Sequence, residues 1–256
     1  MPELPEIETV KLQLQKVLIG QKLLQSSFKE LEGKEVIDID RKGKVLLINF
    51  GEKKLGFHFK MTGQLIYDDG KQRIAGGHPS EDMIAKLPNK HTREIFEFEK
   101  GKLFFNDMRK FGWVKINPKF TSTLGEDALT ITTLKKSNKP IKIAIMDQTL
   151  IAGVGNIYAN DALWESSINP QTQVNQLSVE QLASLLKSIK LVLNEGIKYG
   201  GATVDNYLNI QGVGGHYQDH LRVYKRENLP CHRCKTPIHK IILGGRGTYY
   251  CPKCQK

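Results

Sequence analysis

The chain has 256 residues, with 38 Lys plus Arg against 27 acidic residues and a formal net charge of +11. That length holds two modest domains, each able to bury a core, and the positive balance points to a polyanionic partner, nucleic acid first. No apolar run reaches the roughly 18 residues of a spanning helix, and the start lacks the basic-then-apolar layout of a signal peptide. The expectation is a soluble, intracellular protein with no membrane partner.

The first six residues, Met1-Pro2-Glu3-Leu4-Pro5-Glu6, admit two readings. Pro5 suits a first helical turn, where its missing N–H is no loss, and Ile7, Val10, Leu14, Val17 and Leu18 follow at helical spacing. The stretch is therefore a good helix start. It is also a candidate active site. With Met1 removed, which a small second residue permits, Pro2 carries a secondary amine at the positive end of a helix. That field keeps Glu3 ionised and favours the free-base amine, which attacks carbon.

From the turn at Gly20 the chain alternates in short runs rich in Val, Ile, Leu and Phe, at residues 35–40, 44–50, 54–59, 93–98 and 102–106. Turn pairs such as Glu32-Gly33, Gly51-Glu52, Asp69-Gly70 and Lys100-Gly101 separate them, which predicts an antiparallel sandwich or barrel. Residues 68–89 lack periodicity and are expected to be a mobile loop. Lys44 opens a strand after Lys42-Gly43. Met61 lies in His58-Phe59-Lys60-Met61-Thr62-Gly63, and Arg109 and Phe111 lie in Asn106-Asp107-Met108-Arg109-Lys110-Phe111-Gly112. Each has an ordinary reading as solvated cation or core packing. Apolar side chains beside Arg and Lys are also what unstacks a duplex step and replaces an extruded base.

Past residue 118 the period becomes helical. Residues 141–146 and 178–199 show it, and Leu182, Leu185, Leu186, Ile189, Val192, Leu193 and Ile197 mark one apolar face. Ser178 with Gln181 predicts a capping box and Gly200-Gly201 a stop. Gly153-Val154-Gly155-Asn156 is a glycine-bracketed turn into a helix, either a tight connection or an anion site with Asn156 facing outward. Residues 209–215 read as a flexible loop. All four cysteines fall in the last 26 residues as Cys231-x2-Cys234, sixteen residues, Cys251-x2-Cys254. That spacing presents four thiolates to one tetrahedral structural zinc and leaves no position for a substrate. The stretch 238–250 between them has the length of a β-hairpin. Arg246 stands there among glycines, in a solvated turn or against phosphate.

Together these pieces resemble the formamidopyrimidine-DNA glycosylase family, bacterial base-excision repair enzymes for oxidised purines, over essentially the whole chain and in the same order. The match runs through Pro-Glu-Leu-Pro-Glu at 2–6, the lysine at 44, His-x2-Met-Thr-Gly at 58–63 and Asp-x-Arg-Lys-Phe-Gly at 107–112. It continues through Gly-x-Gly-Asn-Ile-Tyr at 153–158 to the four-cysteine tail with Gly-Arg-Gly-Thr at 245–248. The resemblance implies an α+β chain: an N-terminal helix with a two-layered antiparallel β-sandwich (1–118), a helix-two-turn-helix domain (119–215) and a β-hairpin zinc finger (216–256). It implies a monomer acting on damaged double-stranded DNA in the bacterial cytoplasm, associated with the nucleoid through DNA, and holding one zinc ion.

By the same resemblance Pro2 is the nucleophile at C1′, Glu3 the general acid/base, and Lys44 engages the damaged base and the phosphate beside the lesion. Glu6 supports the lesion pocket. Met61, Arg109 and Phe111 fill the void and contact the orphaned base. Asn156 and Arg246 grip phosphates, and Lys142 is counted among the DNA contacts. The implied activity is glycosidic cleavage through a Schiff base, then β- and δ-elimination. Alternatives are a preference for oxidised pyrimidines, as in the sister endonuclease VIII branch, where Gly is more common than Leu4, and a catalytically silent DNA-binding zinc protein. A small-molecule enzyme using its terminal proline as base fits the charge and the cysteine tail less well. Departures from the family pattern are Asn160-Asp161 in place of an Asp-Glu pair, Arg93 in place of a second histidine after His91, a short glycine-rich segment at 212–216, and Lys225 and Lys235 where glycines are frequent.

Overall fold

The computed structural model describes residues 1–78, 80, 85–202 and 215–256. They pack as two compact units, Met1–Ser122 with Tyr199–His216, and Thr123–Lys198 with Tyr217–Lys256. Among the described residues no helix is long and apolar enough to cross a membrane. The loop expected at 209–215 lies outside the described residues except for Gly215.

The first unit begins with α1 (Leu4–Leu18), which buries Ile7, Val10, Leu14 and Leu18 on the face the periodicity marks out. One sheet contains β1 (Leu23–Gln25), β5 (Gly63–Asp68), β6 (Arg73–Gly77), β7 (Thr92–Phe98) and β8 (Gly101–Asp107), in the order β1-β7-β8-β5-β6. The other contains β2 (Asp38–Lys42), β3 (Val45–Asn49), β4 (Lys54–His58) and β9 (Trp113–Ile116), in that order. Every pairing in both sheets is antiparallel. Leu46, Ile48, Leu55 and Phe57 of one sheet meet Leu65, Tyr67, Phe96 and Phe105 of the other in a continuous core with α1. This is the expected two-layered α+β arrangement.

Two local expectations are corrected. Lys44 does not begin a strand. It sits with Gly43 in the two-residue turn between β2 and β3, because Lys42 pairs with Val45. Residues 68–89 are not all loop, since β6 runs through Arg73–Gly77 in register with β5, pairing Gln64 with Gly77 and Asp68 with Arg73. Its glycines hid it from the alternation test, yet Gly76 is required there. A Cβ on Gly76 would lie 2.1 Å from Cγ2 of Val10, so the strand passes α1 only without a side chain.

The second unit holds α2 (Ile141–Met146), α3 (Asn156–Glu165), α4 (Val179–Lys198) and a short parallel pair, β10 (Glu126–Asp127) with β11 (Ile151–Ala152). It ends in the hairpin β12 (His239–Leu243) and β13 (Arg246–Tyr250), closed by Gly244-Gly245. The capping box of α4 forms as expected: Ser178 N–H donates to Gln181 Oε1 at 2.8 Å and Gln181 N–H to Ser178 Oγ at 3.2 Å. Helix α3 is buried almost all round, polar residues included. Burial obliges those polar groups to find partners inside the protein. Asp161 accepts the N–H groups of Arg222, Val223 and Tyr224 at 3.2, 3.1 and 3.3 Å and the hydroxyl of Tyr217 at 3.2 Å. Lys225 and Lys235, the positions where glycine is frequent, both adopt the left-handed backbone, with φ of 56° and 64°. Nothing else in the structure explains a lysine there.

Two outcomes follow. Asp161→Ala strands several buried donors at once and lowers the unfolding free energy by about 3–5 kcal/mol, read from urea titrations. Lys225→Gly relieves the left-handed strain and gains up to about 1 kcal/mol in the same assay.

Candidate active site and metal centre

The start of α1 is built by two glutamates. Glu3, in extended backbone, is the N-cap, with Pro5 in the first turn. The Glu3 N–H donates to Glu6 Oε2 at 2.7 Å and the Glu3 side chain receives the N–H of Glu6, a reciprocal capping box. Pro2 immediately precedes the cap and is buried, as is Glu3 at 3 % exposure. The second oxygen of Glu6 accepts the N–H of Ala202 at 2.7 Å. Gly201 makes this possible: its φ is +91°, and a Cβ would stand 2.7 Å from Glu6 Oε1.

Lys44 is tied to this helix through Arg41. The Arg41 Nε donates to Glu8 Oε2 at 2.7 Å, and its Nη1 donates to the carbonyl of Gly43 at 2.8 Å. Lys11 holds the other Glu8 oxygen at 2.5 Å. Burial raises the affinity of Glu8 for its proton, but the bonds from Lys11 and Arg41 outweigh it and hold the carboxyl below its ordinary range. An ionised Glu8 thus clamps the turn that carries the buried Lys44 onto α1, the helix whose cap follows Pro2.

Met61 and the pair Arg109 and Phe111 stand on two loops that share one carboxylate. Asp107, at the end of β8 and buried, accepts the Thr62 hydroxyl and the Arg109 N–H (3.2 Å) on Oδ1, and the Gly112 N–H (2.6 Å) on Oδ2. The Arg109 N–H is shared with Thr62 Oγ1 at 3.1 Å. Arg93, the departure noted after His91, donates from Nε to the Asp107 carbonyl at 2.9 Å. Lys60 and Lys110 hold left-handed backbone, with φ of 48° and 59°, so one loop turns sharply beside Met61 and the other between Arg109 and Phe111. Phe111 is 54 % exposed, and the Arg109 guanidinium lies 4.7 Å over its ring. An exposed aromatic capped by a cation is poorly suited to core packing and well suited to a base.

His58, at the foot of the first loop, accepts the Lys60 N–H on Nδ1 at 3.0 Å, which places any ring proton on Nε2. Desolvation, with Lys60 and Lys44 nearby, lowers its pKa to about 3, so it is neutral at physiological pH.

In the second unit, α3 begins at Asn156 with Gly155 as N-cap, as the glycine-bracketed turn implies. Asn156 Nδ2 donates to the Gly247 carbonyl at 3.1 Å, and Arg246 is exposed beside the hairpin turn. Lys142 is a correction. It is fully buried, and its ammonium donates to Gly247 O at 3.0 Å and Thr248 Oγ1 at 2.6 Å, so it braces the hairpin from within instead of presenting a charge at the surface.

The Sγ atoms of Cys231, Cys234, Cys251 and Cys254 all lie within 4.8 Å of one another. A tetrahedral zinc with Zn–S near 2.3 Å sets sulfurs about 3.8 Å apart. The pairs Cys234 with Cys251 at 3.4 Å and Cys231 with Cys254 at 4.0 Å bracket that value. Bonds from Thr236 bring the Cys234 thiol down to about 6, while desolvation and the neighbouring sulfurs push Cys254 up to about 12. Four sulfurs so crowded suit a divalent cation that takes all of them as thiolates, and the set fits one structural zinc.

Sequence reasoning overlooked Glu8, Arg41, His58 and Asp107. The last two were in view, inside the motifs quoted for Met61 and Phe111. The Glu8–Arg41 pair left no local signal, because its partners meet only through the packing of α1 on β2.

Three family models match the chain: the formamidopyrimidine-DNA glycosylase N-terminal domain over residues 1–114, the formamidopyrimidine-DNA glycosylase H2TH domain over 118–207, and a zinc finger found in FPG and IleRS over 228–256. The chain is 39% identical over 288 aligned positions to the formamidopyrimidine-DNA glycosylase of Pelotomaculum thermopropionicum, covering 100% of this chain and 99% of that one. It is 35% identical to that of Listeria monocytogenes, with 100% of each covered. Among solved structures, Lactococcus lactis Fpg with DNA containing an abasic site is similar at a TM-score of 0.84 and 31% identity. The same protein with DNA containing an oxidised pyrimidine is similar at 0.83 and 32%, and both cover 100% of each chain.

The His58 environment predicts a pH dependence. The folded chain keeps His58 neutral down to about 3, whereas the unfolded chain protonates it near 6.5. The native state binds fewer protons in that window, so stability falls as pH drops from 6.5 towards 3. This residue supplies at most about 1.4 kcal/mol per pH unit. Urea titrations at about pH 7 and about pH 5 will show a smaller stability loss on acidification for His58→Gln than for the parent.

Proposed function

The chain belongs to the formamidopyrimidine-DNA glycosylase family, and on that footing we propose that it is a bifunctional DNA glycosylase and AP lyase excising oxidised purines, 8-oxoguanine and formamidopyrimidines, from duplex DNA. The observation that carries the reading is the capping box at the start of α1. Pro2 is buried directly before the N-cap, Glu3 occupies the cap, and Arg41 links Glu8 of the same helix to the turn bearing Lys44.

A base stacked in a duplex cannot be attacked at C1′, so the nucleotide must first be extruded and its place filled. Met61 and Phe111 suit the filling and Arg109 the orphaned base, with Asp107 holding both loops in register. With Met1 removed, the Pro2 nitrogen lone pair forms a bond to C1′ as the C1′–N bond breaks and the base leaves with a proton. Glu3 is the group that moves protons there and on the opened sugar. Protonation of O4′ and cleavage of the C1′–O4′ bond open the sugar and leave an iminium, which draws electrons from C2′ when a C2′ proton is lost and so expels the 3′ phosphate. A second elimination expels the 5′ phosphate, and water releases Pro2. Asn156 and Arg246 fit the phosphates of the bent strand. Lys44 engages the damaged base, and Glu6, bonded to Ala202, supports its pocket. On this reading the chain divides at 1–118, 119–215 and 216–256 and acts as a monomer in the bacterial cytoplasm, held at the nucleoid by DNA.

A second lesion preference has a specific observation behind it, since the similar Lactococcus lactis protein was solved with oxidised-pyrimidine DNA. A panel of duplexes with 8-oxoguanine, formamidopyrimidine and oxidised pyrimidines ranks the two.

Borohydride trapping tests the chemistry. The parent protein, shown by mass spectrometry to lack Met1, becomes covalently linked to lesion-bearing DNA, and Pro2→Gly loses most of the link. Absence of an adduct with the parent overturns the proposal. Glu3→Gln lowers single-turnover base excision by about 10²–10⁴-fold while leaving duplex affinity close to that of the parent.

A further inference from the structure

Helix α3 carries three side chains at successive i, i+4 positions that all meet the cysteine-bearing tail. Asn156 Nδ2 donates to Gly247 O at 3.1 Å, Asn160 Oδ1 accepts the Tyr249 N–H at 2.7 Å, and Trp164 Nε1–H points at Cys231 Sγ at 3.3 Å. Residues three and four apart share a helix face, so the three form one stripe. The first two hold strand β13, and the third reaches a metal ligand. The stripe explains Asn160, which departs from the family pattern. Its amide accepts from Tyr249 while its Nδ2 donates to the Asn156 carbonyl at 2.6 Å, a pair of bonds that an ionised aspartate cannot make.

The Trp164 ring is held on both sides. It is 6 % exposed and packs with Val223, Ile238 and Cys251, while the Arg233 guanidinium lies 3.8 Å over the ring and donates to the Trp164 carbonyl at 2.9 Å. An indole N–H buried this way needs an acceptor. A neutral thiol is a weak one, whereas an anionic thiolate is markedly better. The contact therefore gains its value when Cys231 is a metal-bound thiolate. Donation into that sulfur fixes the direction of its lone pairs and withdraws charge from it, as partners of metal ligands do in general.

We propose that Trp164 is a positioning residue of the zinc site, donating its indole N–H to the Cys231 thiolate so that the metal is retained and the cysteine tail is keyed to α3. The proposal does not depend on the glycosylase reading, because it concerns metal retention alone.

The test removes the N–H and keeps the ring. The chain has two tryptophans, so Trp113→Phe leaves position 164 as the sole tryptophan. Supplying β-(3-benzothienyl)alanine to cells making that variant replaces the indole by a ring of the same shape with sulfur in place of N–H. Zinc transfer from the full-length protein to a chromogenic chelator, and the thiolate-to-metal charge-transfer band of the cobalt-loaded protein, are then compared with those of the indole form. Circular dichroism verifies that both forms are folded. The expected result is about tenfold faster zinc release together with a red-shifted band, because the sulfur regains the charge the N–H had withdrawn. Release at the rate of the indole protein, or a band that does not move, overturns the proposal. Trp164→Phe in the natural background provides a second comparison and is expected to release zinc at least as fast as the isostere.

Discussion

The Glu6 carboxylate accepts the N–H of Glu3 on one oxygen and the N–H of Ala202 on the other, so one side chain caps a helix and anchors a segment 196 residues further along the chain. Helix starts leave their first N–H groups without intrahelical partners, and a carboxylate near that end is stabilised by the helix dipole. What would be ordinary capping chemistry thereby fixes the backbone on which Pro2 and Glu3 stand. The placement of Pro2 and Glu3 and the stability of the start of α1 rest on the same set of bonds, and changing Glu6 alters both.

The same economy recurs wherever a buried carboxylate collects donors. Glu8 joins α1 to the turn of Lys44 through Arg41. Asp107 takes donors from both loops, the one with Met61 and the one with Arg109 and Phe111. Asp161 gathers three consecutive backbone N–H groups from residues 222–224 onto α3. A carboxyl group with two oxygens accepts several hydrogen bonds at once, and backbone donors bonded to it are spared the cost of an unmet buried N–H. Loops that lack regular pairing of their own are thus given fixed shapes.

In the second unit the ordering element is α3, which has no solvent-facing stripe to spare. Its N-terminus presents Asn156, its middle grips β13 and its last turn reaches Cys231. Lys142, buried beneath the same hairpin, braces Gly247 and Thr248 beside Arg246. A hairpin of five residues per strand has little core of its own. Its shape is supplied by the metal ligands on one side and the helix on the other.

How much of this was legible in the sequence depended on the range of each signal. The helix start at residues 3–6, the apolar face and cap of α4, the glycine turn into α3 and the four-cysteine knuckles all act within a few residues, through capping, periodicity and ligand spacing, and the sequence by itself determined them. The turn position of Lys44 and the strand 73–77 were decided by pairing register, which no local pattern encodes. The inward course of Lys142, the Glu8–Arg41 clamp and the convergence of two loops on Asp107 were decided by tertiary packing alone. Burial removes water as a partner and leaves each charged group only the donors and acceptors that the fold brings to it, and those come from parts of the chain whose separation carries no information about their meeting.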